Sequence, residues 1–294
     1  MAAHSPDDGA TLPDPSEVDP TPAPADARHP WRRFVAMGDS ITEGIGDPDP
    51  DVPGGNRGWA DRLAEELARD IPDFSYANLA IRGRLHGQVI DEQLEPALAL
   101  EPDLVSFVCG GNDVLRLADP DEVAADMDEA VGKIAATGAT VILATGPDIG
   151  ATPVLSLIRG RAAIFNENIR TVAARHGGVV VDLWGLRQLT HEAMWAEDRL
   201  HFSALGHHTI AVAALDALGV PHDVREPQPL APHPRTWRAA RREDLEWARR
   251  HFGPWMMRRL RHQSSGDGLA PKRPEAAAVF GHPMPPGSAA AEHE

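Results

Sequence analysis

The sequence predicts a three-layer α/β/α domain in which helices cover both faces of a five-stranded parallel sheet. Between residues 31 and 221, short runs rich in β-branched side chains alternate with amphipathic segments. Such alternation is typical of right-handed crossovers between parallel strands. The runs at 141–143 (Val-Ile-Leu) and 179–181 (Val-Val-Val) are apolar throughout. Continuous apolar runs indicate strands that are covered on both faces.

Nine segments build this domain. The strand candidates are Arg33–Met37, Phe74–Leu79, Leu104–Cys109, Thr140–Ala144 and Val179–Leu183. The helical candidates, each with an apolar face that can cover the sheet, are Trp59–Arg69, Glu122–Ala136, Leu155–Arg175 and Ala204–Leu218. We expect the flavodoxin-like order, in which the third strand lies beside the first. In such a sheet, ligands bind at the carboxyl ends of the strands, where the strand order reverses.

Composition divides the 294 residues into four zones. Residues 1–30 hold seven prolines and six acidic side chains, and this predicts a disordered acidic, Pro-rich tail. Residues 31–221 form the α/β domain. The composition of residues 222–263 predicts a linker and a basic amphipathic helical arm. We expect residues 264–294 to form a largely disordered tail, with the segment Gly266–Pro274 as an ordered exception.

Composition also excludes several classes of protein. The formal charge of −16 argues against a nucleic-acid partner. A single cysteine, Cys109, excludes an intramolecular disulfide framework and a cysteine-rich zinc site. No apolar run reaches the roughly 18 residues that a transmembrane helix needs. The first 30 residues lack the basic start and apolar segment of a signal peptide, so we expect a cytoplasmic protein.

The basic arm permits three arrangements. Its core, residues 237–262, combines eight arginines with Trp and Phe side chains, whereas residues 31–221 carry a net charge of −14. We favour an arm whose aromatic face packs on the acidic domain. Alternatively, the arm makes a weak contact with an anionic membrane surface. Nucleic-acid contact is less favourable, because the acidic domain would repel it.

Four short motifs lie at the ends of predicted strands or before the last predicted helix. In chain order they are Gly-Asp-Ser at 38–40, a glycine at 83, Gly-Gly-Asn-Asp at 110–113 and Asp-Arg-Leu-His at 198–201. The loop after the first strand is the place where the strand order reverses. The sequence therefore predicts a ligand-binding cleft beside the first motif.

Most of these motifs have a chemical and a structural interpretation. Ser40 can present its hydroxyl and N–H groups to the cleft, or it can cap a helix. Asn112 can donate to a developing oxyanion, or it can form a turn. Gly83 lets a backbone N–H approach a substrate closely. Asp198 and His201, three residues apart, can face each other, as Ser-His-acid chemistry requires.

In this order and combination, the four motifs resemble those of the SGNH/GDSL hydrolase family over about residues 33–218. The resemblance implies that Ser40 is the nucleophile, His201 the general base and then acid, and Asp198 the residue that orients His201. It also implies an oxyanion hole made by the Ser40 and Gly83 N–H groups and the Asn112 amide. The usual Leu after Gly-Asp-Ser is Ile41 here. We expect neither a metal nor an organic cofactor.

These assignments predict a serine esterase that hydrolyses a small, soluble carboxylic ester through an acyl-enzyme. Arg82, Arg84 and Arg116 lie beside the motifs and are candidate contacts for an anionic part of the substrate. Solvated loop charges are an equal alternative for these arginines. Three other functions stay open: an acyltransferase with the same triad, a non-catalytic binding module and a flavodoxin-like cofactor binder.

Overall fold

The computed structural model describes residues 28–151, 155–225, 247, 249–250 and 264–280. Its sheet has six strands in the order β5-β4-β3-β1-β2-β6. The strands are β1 (Arg33–Gly38), β2 (Ser75–Asn78), β3 (Leu104–Val108), β4 (Thr140–Ala144), β5 (Val179–Val181) and β6 (Arg273–Ala278). Strands β1 to β5 are parallel, and β6 is antiparallel to β2. The predicted α/β/α class and the flavodoxin-like order of the five parallel strands are confirmed.

Helices cover both faces of this sheet. They are α1 (Ser40–Glu43), α2 (Gly58–Leu67), α3 (His86–Ala99), α4 (Gly111–Leu115), α5 (Pro120–Ala135), α6 (Arg159–His176) and α7 (Ala204–Ala217). One apolar core joins the sheet to α3, α5 and α6, and a second joins it to α2 and α7. Helix α3 is absent from the segments that we named. Gly87 and Pro96 interrupt its pattern, and both residue types disfavour a helix interior.

Strand β1 shows why the central strands carry no polar alternation. Val35 and Met37 belong to the core on the α3, α5 and α6 side, whereas Phe34 and Ala36 belong to the core on the other side. All four side chains are fully buried. A strand between two helical layers must therefore be apolar at every position, as its sequence indicates.

The prediction of five strands missed β6. Its sequence, Arg-Pro-Glu-Ala-Ala-Ala, has little β propensity and lies where we expected a largely disordered tail. The strand forms at the free edge of β2, with Ser75 opposite Ala278 and Tyr76 opposite Ala277. Pro274 is tolerated because an edge strand leaves some N–H positions unpaired. Composition therefore misses a strand that depends on pairing with a distant part of the chain.

The described part of the chain contains no helix with the length and hydrophobicity needed to cross a bilayer. The acidic tail, except residues 28–30, lies outside the described residues. The same holds for most of the basic arm and for the last 14 residues.

Candidate active site

Ser40 is the first residue of α1, directly after β1 and Asp39. The Asp39 carboxylate accepts a hydrogen bond from the Ile41 N–H at 3.1 Å and so caps the helix. Before it, a Cβ on Gly38 would lie 2.2 Å from the Val108 carbonyl oxygen, so only glycine fits. This close packing places the nucleophile candidate at the end of the central strand.

Gln93 of α3 holds the same strand end, and sequence reasoning missed it. Its amide nitrogen donates to the Gly38 carbonyl oxygen at 2.9 Å, and its amide oxygen accepts from the Gly38 N–H at 2.8 Å. The side chain is buried, so both of its polar atoms need partners. A lone glutamine in a helix gives no sequence signal for this contact.

The three predicted triad residues are hydrogen-bonded in series. His201 Nε2 lies 3.0 Å from Ser40 Oγ, and His201 Nδ1 lies 2.6 Å from Asp198 Oδ2. The other carboxylate oxygen of Asp198 accepts the N–H groups of Leu200 and His201, each at 3.0 Å. These backbone bonds fix the orientation of the carboxylate, which in turn orients the imidazole.

The charge of Asp198 selects the tautomer of His201. Burial by itself would raise the pKa of Asp198, but the hydrogen bonds and the charge of His201, with the Leu200 N–H, lower it to about 2. An ionised carboxylate only accepts hydrogen bonds. His201 Nδ1 therefore carries the proton, and Nε2 can accept a hydrogen bond from the Ser40 hydroxyl.

Asn112 belongs to α4, which follows β3, and lines the same cavity as Ser40 and His201. Its amide nitrogen donates to Asp39 Oδ2 at 3.2 Å and to the Arg84 carbonyl oxygen at 3.0 Å. Asp39 thus links residues 38–43, which we call the nucleophile turn, to residues 110–113, which we call the Asn112 loop. Burial raises the pKa of Asp39 to about 6, against the effect of its bond from the Ile41 N–H.

Gly83 has a left-handed φ of +76°, which favours glycine. A Cβ at this position would lie 2.4 Å from Ser264 Oγ, in the C-terminal segment. Gly83 is not among the residues that line the cavity beside Ser40. Its left-handed conformation favours glycine, a Cβ would displace the Ser264 hydroxyl, and the oxyanion role of its N–H stays a prediction.

The structure gives Arg82 and Arg84 other partners than a substrate. Arg82 pairs with Glu43, and its backbone N–H donates to the same carboxylate at 2.6 Å. Arg84 pairs with Glu92 at 2.8 Å and with Asp267 at 3.3 Å. Neither lines the cavity, and Arg116 is an exposed residue that does not line it either. Arg82 and Arg84 therefore form ion pairs instead of being solvated loop charges, and their contact with a substrate, like that of Arg116, stays a prediction.

One residue of the basic arm contacts the site. The Trp247 indole N–H donates to the Asp198 carbonyl oxygen at 2.9 Å, and the Arg199 guanidinium lies 5.3 Å from its ring centroid. Among the few arm residues that the structure describes, this contact agrees with an arm that packs on the domain.

His86, at the start of α3, bridges two carboxylates. Its Nδ1 lies 2.7 Å from Asp113 Oδ1, and its Nε2 lies 2.9 Å from Asp126 Oδ2. The hydrogen bond with Asp113, followed by that with Asp126, raises the pKa of His86 to about 9 against the opposing effect of burial. The imidazolium thus ties the Asn112 loop to α3 at neutral pH.

The variant His86→Gln should have a lower Tm than the wild type at pH 6 and nearly the same Tm at pH 10. Because the pKa of His86 is about 9 in the folded state and its ordinary value is 6.5, protonation stabilises the fold fully below pH 6.5. This contribution is lost as the pH rises through 9. Thermal unfolding followed by circular dichroism at both pH values measures the difference.

The matched control is His208→Gln, since His208 Nε2 lies 3.0 Å from the Arg225 carbonyl oxygen instead of a carboxylate. Its Tm difference from the wild type should be the same at both pH values. A His86→Gln difference that does not change between pH 6 and pH 10 would contradict the ion-pair interpretation.

A cavity of about 140 Å³ opens beside Ser40 and His201. Its walls are mostly apolar and come from α4, from the segment before α6 and from α6 itself. Its apolar lining includes Val114, Leu115, Ile149, Ile158, Ala162 and Phe165. The hydroxyl, the imidazole and an apolar binding space therefore meet in one place.

Comparisons with solved structures agree with this fold. LAE5, an alpha/beta hydrolase enzyme from the metagenome of Lake Arreo, Spain, is 28% identical, has a TM-score of 0.54, and the match covers 64% of this chain and 95% of that one. Axe2, an acetylxylan esterase from Geobacillus stearothermophilus, is 22% identical with a TM-score of 0.51, over 64% of this chain and 94% of that one. TesA is 24% identical with a TM-score of 0.53, and the match covers 63% of this chain and 97% of that one. The last two likenesses show the fold alone.

Sequence comparisons identify the family. The uncharacterized protein YpmR of Bacillus subtilis (strain 168) is 28% identical over 90 residues, which are 29% of this chain. That match spans only about a third, 32%, of the length of YpmR. The GDSL-like lipase/acylhydrolase family matches residues 36–209, which include all four motifs. The chain therefore belongs to the GDSL-like lipase/acylhydrolase family of ester-hydrolysing enzymes.

Proposed function

We propose that this protein is a serine esterase that hydrolyses soluble carboxylic esters through an acyl-enzyme on Ser40. One observation carries the proposal: Ser40, His201 and Asp198 are hydrogen-bonded in series, at 3.0 and 2.6 Å, at an apolar cavity. A serine hydroxyl is a weak nucleophile unless a base removes its proton, and His201 is within hydrogen-bonding distance to do so.

In the acylation step, Ser40 Oγ bonds to the carbonyl carbon of the ester while its proton passes to His201 Nε2. The electron pair of the C=O bond moves to the oxygen, and Asp198 stabilises the imidazolium. The tetrahedral intermediate then collapses, and His201 gives the proton to the leaving alcohol. Water repeats the sequence on the acyl-enzyme, which releases the carboxylic acid and restores Ser40.

The oxyanion needs donors placed in advance, and the Asn112 amide with the Ser40 and Gly83 N–H groups would supply them. Both hydrogens of the Asn112 amide are engaged, by Asp39 and by the Arg84 carbonyl oxygen. A contact between Asn112 and the oxyanion therefore requires the exchange of one of these two bonds. The longer bond, to Asp39 at 3.2 Å, is the one we expect to be released.

The cavity indicates the kind of acyl group. Its volume of about 140 Å³ resembles that of an engineered apolar cavity of about 150 Å³ that binds benzene. The Axe2 relative is an acetylxylan esterase, and an acetyl group would leave most of this space empty. An unbranched acyl group of about six carbons would fill it, as judged from that comparison.

We expect kcat/KM for p-nitrophenyl esters to rise from acetate to hexanoate and then to level off. Each buried methylene contributes about 0.8 kcal/mol, which is close to fourfold in kcat/KM. Measuring the released p-nitrophenol across the series from acetate to decanoate tests this expectation. A highest value at acetate would contradict the acyl assignment, and no hydrolysis of any ester would contradict the esterase.

The variant Ala162→Phe provides the control, because Ala162 lines the cavity on α6. The larger side chain should lower kcat/KM for hexanoate and leave that for acetate nearly unchanged.

Product analysis in the presence of glycerol separates the esterase from an acyltransferase. The proposed esterase releases mainly free acid, whereas mainly glycerol ester would assign the transferase.

A further inference from the structure

A buried lysine from outside the family match reaches the nucleophile turn. Lys272 lies just before β6, in the C-terminal segment 264–280, whereas the family match ends at residue 209. Its side chain is 3% exposed. Lysine is almost never fully buried unless its charge is paired. The contacts of its ammonium group therefore have a structural or functional reason.

Lys272 Nζ donates to three oxygens. Two are backbone carbonyls, those of Glu43 and Asn56, each at 2.7 Å, and the third belongs to the Asp61 carboxylate. Asp61 neutralises the charge, and Arg273 adds a contact with the same carboxylate at 3.6 Å. Charge neutralisation alone does not require the two carbonyl contacts.

Glu43 is the last residue of α1, and Ser40 is the first. A helix of four residues is not stable on its own, and its final carbonyl groups need partners from elsewhere. The Lys272 ammonium supplies such a partner at the Glu43 carbonyl, where a positive charge also suits the helix dipole. The segment therefore fixes one end of the turn whose other end carries the nucleophile.

The same segment touches the Gly83 loop. The Glu43 carboxylate binds the backbone and side chain of Arg82, the residue before Gly83. Ser264 Oγ donates to the Arg82 carbonyl oxygen at 3.4 Å and packs against Gly83. The C-terminal segment thus contacts both the nucleophile turn and the loop that carries Gly83, a predicted oxyanion donor.

We propose that Lys272 is a positioning residue for ester hydrolysis, and that its contact with the Glu43 carbonyl holds Ser40 in register with the Gly83 loop. This proposal rests on the proposed esterase function. The competing explanation is that Lys272 only neutralises the buried Asp61. The two explanations differ in what happens when the lysine and the carboxylate are removed together.

Three variants separate these explanations: Lys272→Met, Asp61→Asn and the double variant with both changes. Lys272→Met should lower both Tm and kcat, since it leaves Asp61 buried without the ammonium. Asp61→Asn keeps the contact with the Glu43 carbonyl and should retain kcat within about threefold, although its Tm falls. The double variant removes both charges of the Lys272–Asp61 pair and leaves Arg273 as the remaining buried cation, so its Tm should recover in part, above that of Lys272→Met.

The decisive measurements are kcat, KM and the rate at which a fluorophosphonate labels Ser40 in the folded double variant. We expect kcat and the labelling rate to stay about 10- to 100-fold below the wild type with KM little changed, as for a misplaced catalytic group. Wild-type kcat and labelling in the double variant would overturn the proposal. Unfolding of both Lys272 variants would also overturn it, because Lys272 would then serve folding.

The wild type, measured in parallel, separates a failure of the proposed Lys272 role from a failure of the proposed esterase function. If it hydrolyses esters and the double variant does so equally well, only the role of Lys272 fails. If the wild type hydrolyses no ester and Ser40 is not labelled, the esterase function fails, and the role of Lys272 fails with it.

Discussion

Replacing Ser40 by alanine should lower kcat for p-nitrophenyl esters by roughly 10⁴- to 10⁶-fold, the range seen when a triad nucleophile is removed. The change deletes one oxygen from a residue that is 8% exposed, so the fold should persist. His201 and Asp198 stay in place but have no hydroxyl to activate. Initial rates, with circular dichroism as the measure of folding, test this prediction.

Ser106→Ala is the matched control. Ser106 is a buried serine on β3, the strand beside β1, and its hydroxyl has no hydrogen-bond partner among the described residues. Its loss should change kcat less than twofold. Fluorophosphonate should label the wild type at residue 40 and leave Ser40→Ala unlabelled. Full activity of Ser40→Ala, or labelling of another residue in the wild type, would remove Ser40 from the mechanism.

Asp198→Asn should lower kcat by about 10⁴-fold, as in other triads where this change leaves the geometry intact. The N–H groups of Leu200 and His201 both point at Asp198 Oδ1, so they will hold the amide oxygen of the variant in that position. The amide nitrogen must then face His201 Nδ1 and donate to it. His201 would carry its proton on Nε2 and could no longer accept one from Ser40.

A second Asp–His pair provides the control for this variant. Asp216 Oδ1 lies 3.2 Å from His222 Nε2, outside the residues that line the cavity. Asp216→Asn should leave kcat unchanged when measured with the same ester. Activity of Asp198→Asn within tenfold of the wild type would show that the carboxylate does not select the tautomer of His201.

Some features were predictable because they follow from local chemistry. An apolar strand without alternation indicates burial on both faces. β1 is such a strand, and its Phe34 and Val35 side chains belong to opposite cores. The spacing of Asp198 and His201 allows their contact within one turn. Glycine at 38 indicates close packing, and a Cβ there would lie 2.2 Å from the Val108 carbonyl oxygen. Glycine at 83 indicates a left-handed backbone, and its φ is +76°.

Other features were not predictable because they depend on distant partners. Strand β6 has weak propensity and exists through its pairing with β2. Arg82 and Arg84 lie beside the motifs, and only the structure shows that they pair with Glu43 and with Asp267. Gln93 and Lys272 each support the nucleophile turn from segments that carry no recognisable motif.

The amino-acid order alone determined the layered α/β architecture, the family resemblance and the identity of the candidate nucleophile, base and acid. These depend on periodicity and on residue types, both of which are properties of a short stretch of chain. Tertiary structure alone decided the apolar cavity, the pairing of the arginines and the contact of Lys272 with the nucleophile turn. These depend on which side chains the fold brings together, and burial makes each unpaired charge or polar group costly enough to select its partner.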